Sequence, residues 1–132
     1  MNAPACAKRV LLVDDEARTA RMLARMLQED GYDVEILFDG AAAIGRLTRD
    51  PLPDALVTDL RMPHVDGVAV ARYARARNPR IPVVVITGYP HMLRARADLG
   101  PVVVHTKPVE YATLARQVAD AMDGGAGRAG ET

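Results

Sequence analysis

Arg9-Val10-Leu11-Leu12-Val13-Asp14-Asp15-Glu16 is an uninterrupted aliphatic run that stops at three acids. Four consecutive aliphatic residues leave no polar face, so the run reads as a strand buried on both sides, as in a parallel sheet. Beyond the acids, Glu16 to Asp30 places Ala20, Leu23 and Leu27 on one helical face, and Gly31 supplies a stop. The pair then repeats. Asp33 to Leu37 alternates like an edge strand and precedes a short alanine-rich helix over Gly40 to Thr48. A strand over Pro53 to Thr58 leads to a helix over Gly67 to Arg77, and Pro82 to Ile86 leads to a weaker helix within Pro90 to Leu99. A fifth strand, Val102 to Thr106, precedes an amphipathic helix over Val109 to Met122. Five such units predict an α/β fold, a doubly wound five-stranded parallel sheet with helices on both faces, because crossovers between parallel strands are right-handed.

The composition fits this architecture. The chain has 132 residues, 17 Lys+Arg against 17 Asp+Glu, and 49% apolar residues of which 22 are alanine. That length suits one domain, expected over residues 8–122, between a flexible leader (1–7) and a Gly-rich tail or linker (123–132) with no apolar face, expected to be disordered. Only 4% of residues are aromatic, which disfavours a sandwich of aromatic strands. Zero net charge offers no footprint for nucleic acid or an anionic membrane, so neither is expected as a partner. The single Cys6 forms no internal disulfide, and no apolar run has signal-peptide or spanning length; a cytoplasmic protein is expected.

In an open α/β sheet, ligands bind beyond the carboxyl ends of the strands. Here those ends carry Asp14-Asp15-Glu16, Asp59, Thr87-Gly88 and Lys107-Pro108. No glycine fingerprint follows the first strand, and no glycine loop ends in Lys-Ser or Lys-Thr, which excludes dinucleotide and P-loop sites. Acids standing where donors are needed exclude a flavin phosphate. Grouped carboxylates repel unless a cation sits among them. A hard divalent ion that keeps several waters suits such an open oxygen site, Mg2+ or, in its place, Mn2+. With the ion present a carboxylate can act as nucleophile toward phosphorus, forming an aspartyl phosphate, while a lysine and a hydroxyl stabilise the transferred charge.

The segments Val10-Leu11-Leu12-Val13-Asp14-Asp15-Glu16, Asp54-Ala55-Leu56-Val57-Thr58-Asp59-Leu60-Arg61-Met62-Pro63-His64-Val65-Asp66-Gly67, Val83-Val84-Val85-Ile86-Thr87-Gly88 and Thr106-Lys107-Pro108 follow in order at four strand ends. Together they resemble the CheY-like receiver domain of two-component response regulators over nearly the whole chain. The resemblance implies strand order 2-1-3-4-5 and makes Asp59 the phosphoacceptor. It implies Asp15 and Asp59 as metal ligands, Asp14 acting mainly through metal-bound water, and the Arg61 carbonyl completing the protein's share. It places Thr87 and Lys107 on the phosphoryl oxygens and implies a cis bond at Lys107-Pro108. A histidine kinase or phosphotransfer protein is the implied donor, and the domain would catalyse its own phosphorylation and dephosphorylation without being a turnover enzyme. The target would be a separate protein or an output domain missing from this chain.

Lys107 also stands out by composition, since the chain holds fifteen arginines and only two lysines, Lys8 and Lys107. A compact ammonium differs in shape and hydration from a guanidinium fork, so this position is read as requiring it. Plainer readings stand beside these. Asp14-Asp15 also suits a helix cap. His64, His91 and His105 lack metal-ligand spacing and read as surface or loop residues. Arg18, Arg21 and Arg25 form a stripe that is either a solvated face or a partner surface.

Two departures from the family bear on output, at the expected switch surface of Thr87, Val104 and His105. Receivers often carry Tyr or Phe three residues before the lysine; here Val104 stands there. The span from Thr87 to Gly100 is two or three residues short by the same comparison, and Pro90 lies within it. These departures motivate a second reading, an interaction module with a lost or altered switch that binds its partner constitutively. A phosphatase is disfavoured because Asp59-Leu60-Arg61 lacks a second acid two residues on.

Overall fold

The computed structural model describes residues 7–93 and 99–127, the last four by backbone alone. The elements run β1 (Arg9–Val13), α1 (Ala17–Glu29), β2 (Asp33–Leu37), α2 (Gly40–Leu47), β3 (Ala55–Asp59), α3 (Gly67–Arg77), β4 (Val83–Thr87), a 3-10 turn (Pro90–Leu93), β5 (Val103–Thr106) and α4 (Tyr111–Gly127). All five strands are parallel and lie in the order β2-β1-β3-β4-β5. The aliphatic runs are continuous because each central strand feeds two cores. Val10 and Leu12 pack with Leu23, Leu27, Leu114 and Val118 under α1 and α4. Leu11 and Val13 pack with Leu47, Val70 and Ala74 under α2 and α3. The small side chains Ala20, Ala24, Ala43, Ala71 and Ala74 are all buried, so the helices lie close on the sheet.

Several boundaries differ from the sequence reading, each for a local reason. Asp59 is the last residue of β3 rather than the first beyond it, because its neighbour Leu60 still donates to the Ile86 carbonyl at 2.9 Å. The helix expected from Val109 begins at Tyr111, after Glu110 caps it by accepting from the Thr113 amide at 3.0 Å. It then continues past Met122 to Gly127, into the stretch expected to be disordered. A helix nucleated on the docked Leu114 and Val118 face propagates at small cost per residue, even through glycine. In the span expected to hold a weaker helix, Pro90–Leu93 forms one 3-10 turn, and residues 94–98 lie outside the described residues. The leader through Cys6 and the tail from residue 128 also lie outside them. Among the described residues no helix is long and apolar enough to cross a membrane.

Candidate functional site

Parallel pairing brings the carboxyl ends of β1, β3, β4 and β5 to one edge, and the acids meet there. Asp14, Asp15 and Asp59 each offer a carboxylate oxygen, all within 4.8 Å of one another. Asp14 and Asp59 are only 6% and 5% exposed, whereas Asp15 is open to solvent. Asp14 does not cap α1, whose cap position is Glu16 and has no side-chain cap bond. It accepts from the Glu16 amide at 2.9 Å, and its own amide donates to the Leu37 carbonyl at 3.1 Å. Lys107 reaches across from β5, with Nζ 3.0 Å from Asp59 Oδ1. The Lys107-Pro108 bond is cis, as is Asp50-Pro51. The Lys107 amide donates to the Thr87 carbonyl at 2.9 Å, tying the lysine's backbone to the end of β4.

Electrostatics follow from burial. Loss of solvent pushes the Asp14 carboxyl up to about 6, against the Glu16 amide that favours its charge and with the help of Asp59. Burial raises Asp59 as well, moderated by its bond to Lys107. Burial works against the Lys107 charge, but the bond to Asp59 and the fields of Asp59, Asp14 and Glu16 outweigh it and hold the ammonium above its ordinary range. The pocket is thus a cluster of carboxylates short of positive charge. Its donors are all carboxylate oxygens, with no thiol or imidazole among them, a set that suits Mg2+ or Mn2+.

The pH dependence carries a sign. Asp14's carboxyl lies higher in the folded chain than its unfolded value of 3.8, so folding holds a proton between those values and stability falls as pH rises from about 4 to about 6. Asp14→Asn removes that penalty and keeps an oxygen for the Glu16 amide. Metal-free Asp14→Asn is expected to be more stable than the parent at pH 8, by up to about 3 kcal/mol, and equal to it near pH 4. Thermal melts across pH check this; a variant less stable at pH 8 contradicts it.

The remaining residues expected at the site are placed as follows. Thr87 is buried at the end of β4, and its hydroxyl accepts from the Tyr89 amide at 2.9 Å. Arg61 is exposed two residues past Asp59, its guanidinium 5.1 Å from the Tyr89 ring centre. Val104 is half-buried beside the α2/α3 core. His105 is not a surface or loop residue: it is 3% exposed on β5, beneath α4. Its Nε2 accepts from the Glu110 amide at 3.2 Å, so Nδ1 carries the proton and donates to Gln117 Oε1 at 2.7 Å. Gln117 in turn donates to the Val104 carbonyl at 3.2 Å, clamping α4 to β5. The α1 arginines Arg18, Arg21 and Arg25 are exposed, with Arg21 lying 5.5 Å over the Phe38 ring.

Two residues of the site escaped the sequence reading of roles. Gly67 lets α3 approach the Asp59 carbonyl so closely that a Cβ would lie 2.2 Å from that oxygen. Tyr89 joins Thr87 to Arg61. The available signal for it was an aromatic ring in a loop beside a strand end, in a chain with four tyrosines and one phenylalanine.

Residues 10–119 match the family model of the response regulator receiver domain. The response regulator MprA of Mycobacterium leprae is 42% identical over 79 residues, 60% of this chain and 34% of MprA. The match thus spans about a third of the length of such curated relatives. Among solved structures, a response regulator receiver protein from Sinorhizobium medicae superposes with TM-score 0.83 at 30% identity, covering 92% of this chain and 99% of that one. TrrA of Thermotoga maritima, solved in complex with Mg2+-BeF, gives TM-score 0.76 at 26% identity over 86% of this chain and 98% of its own.

Proposed function

This chain belongs to the response regulator receiver family of two-component systems, and from that premise we propose that it accepts a phosphoryl group on Asp59 and changes conformation in response. The observation that carries the reading is the convergence of Asp14, Asp15 and Asp59 with the Lys107 ammonium on Asp59 itself. The donor is a phosphohistidine on a histidine kinase or phosphotransfer protein. An Asp59 oxygen attacks phosphorus, the N–P bond breaks, and the imidazole leaves with the bonding electrons. Lys107 holds Asp59 in place and then neutralises charge on the phosphoryl oxygens, and the Thr87 hydroxyl donates to one of them. Asp15, Asp59 and the Arg61 carbonyl would hold Mg2+ or Mn2+ directly and Asp14 through water; the ion, when bound, neutralises charge between the acids and the phosphoryl group. Water attack on the same phosphorus returns the free carboxylate, so the chain is a substrate of its own catalysis and not a turnover enzyme.

In this reading the protein works in the cytoplasm, and its output passes to a protein target or to an output domain outside this chain. Incubation with acetyl phosphate and Mg2+ is expected to add one phosphoryl group per chain, read by intact mass. Chelation of the metal is expected to slow the uptake at least about a hundredfold, since the acids then repel the donor. Equal uptake with and without chelator contradicts the metal's part, and no uptake at all contradicts the function.

The interaction-module reading draws on one observation, Val104 in the half-buried position where receivers often place a ring. Amide spectra with and without Mg2+ and beryllofluoride separate the two. Changes along β5 and the Pro90–Leu93 turn mark a working switch, and a silent spectrum in loaded protein marks a constitutive binder.

A further inference from the structure

Four contacts meet at Tyr89, just past β4. Its amide donates to the Thr87 hydroxyl at 2.9 Å, its ring lies 5.1 Å beneath the Arg61 guanidinium, and its ring edge meets His91 at 6.2 Å and 80°. Its carbonyl accepts from the Met92 amide at 3.0 Å and so anchors the Pro90–Leu93 turn, whose Leu93 reaches the core. The residue is 48% exposed, so it can move without opening the core. Val104 offers no such freedom, because a β-branched side chain is stiff at χ1 and this one is half-buried against the core under α2 and α3.

We propose that Tyr89 is the aromatic element that the switch moves, coupled to Asp59 through the Thr87 hydroxyl. The proposal rests on the receiver reading above. Thr87 is the hinge of the coupling because its one oxygen has two possible engagements. In this structure it accepts from the Tyr89 amide. In the proposed switch, donation to a phosphoryl group on Asp59 turns the side chain into another staggered well and carries the oxygen away from that amide. Tyr89 then loses the anchor of its amide, one residue before the Pro90–Leu93 turn. Its ring still stacks on Arg61, in the loop that leaves Asp59, and still meets His91, while its carbonyl still accepts from the Met92 amide, so these neighbours move with it. Phosphorylation therefore redraws the exposed face formed by Tyr89, His91 and Met92. The switch runs from β3 through β4 into the following loop and needs no ring on β5.

The test uses the whole chain carrying 3-fluorotyrosine, with and without Mg2+ and beryllofluoride. Tyr32, Tyr73, Tyr89 and Tyr111 give four signals, and Tyr89→Phe identifies the one that matters. Loading is expected to shift that signal and to speed hydrogen exchange at the Tyr89 amide about tenfold, the loss of one hydrogen bond. Thr87→Val is expected to exchange fast at Tyr89 with no beryllofluoride present, and Thr87→Ser to restore protection. Bound beryllofluoride with the Tyr89 amide still protected, or Thr87→Val with that protection intact, overturns this switch and leaves the receiver chemistry standing. Failure to bind beryllofluoride at all overturns both.

Discussion

Asp59→Asn is expected to abolish phosphoryl uptake from acetyl phosphate in the presence of Mg2+. The change is small in shape: an amide oxygen remains to accept from Lys107, and β3 is otherwise untouched, so circular dichroism should show an unaltered fold. What disappears is the anionic oxygen proposed to attack phosphorus. Nearby carboxylates are poor substitutes, because Asp14 is occupied by the Glu16 amide and Lys107 is directed at position 59. The rate is expected to fall at least a thousandfold, about 4 kcal/mol of barrier. The adduct in the parent should also be lost in alkali, as an acyl phosphate is. Uptake by Asp59→Asn at the parent's rate would mean that Asp14, Asp15 or a distant residue is the acceptor, and the assignment would be overturned.

The fold was legible in the sequence because its two periodicities are clean. Val10 and Leu12 serve one core and Leu11 and Val13 the other, so an unbroken apolar run could only be a strand covered on both faces. The acids were legible for a related reason: Asp14 and Asp59 follow runs that must be buried, and charges at such places are rarely solvated surface. Their unequal surroundings were not legible. Adjacent residues on an extended chain point to opposite sides, so Asp14 turned inward while Asp15 stayed in water, and only the packing of the loops decides which.

His105 shows the same limit. A histidine between Val104 and Thr106 has no mark of burial in its neighbours, and its partners Gln117 and the Glu110 amide come from α4 and its entry. Tyr89 was invisible as a switch element because its connection to Thr87 runs through a backbone amide, which every residue but proline carries. Side-chain chemistry thus announced the acids and the lysine that meet in the pocket, while the couplings between them rest on contacts that any residue could make.

Gly67→Ala is expected to do the greatest structural damage of any single-methyl change near the site. Gly67 opens α3, and its amide donates to the Leu60 carbonyl at 2.8 Å. An added Cβ would lie 2.2 Å from the Asp59 carbonyl oxygen and 3.1 Å from both the Asp59 carbonyl carbon and Leu60 Cα. All three are backbone atoms of the strand end and cannot turn aside as a side chain would. Alanine favours helix over glycine by about 1 kcal/mol, but the overlap works against it by more, since overpacking of this kind costs roughly 1–3 kcal/mol or above. The net loss is expected to be about 2 kcal/mol, a fall of roughly 10 °C in melting temperature. Activity is expected to suffer further, because the strand end that must yield carries Asp59, and a displacement of about 1 Å there can slow uptake a hundredfold. Gly45→Ala provides the contrast. It lies inside α2 with nothing within 4 Å of its added carbon, so the same methyl is expected to stabilise by roughly 0.5–1 kcal/mol and leave uptake unchanged. Parallel melts and uptake rates of the two variants decide the matter. If Gly67→Ala melts with the parent, α3 does not rest on the Asp59 carbonyl, and the close packing assigned to this corner of the site is wrong.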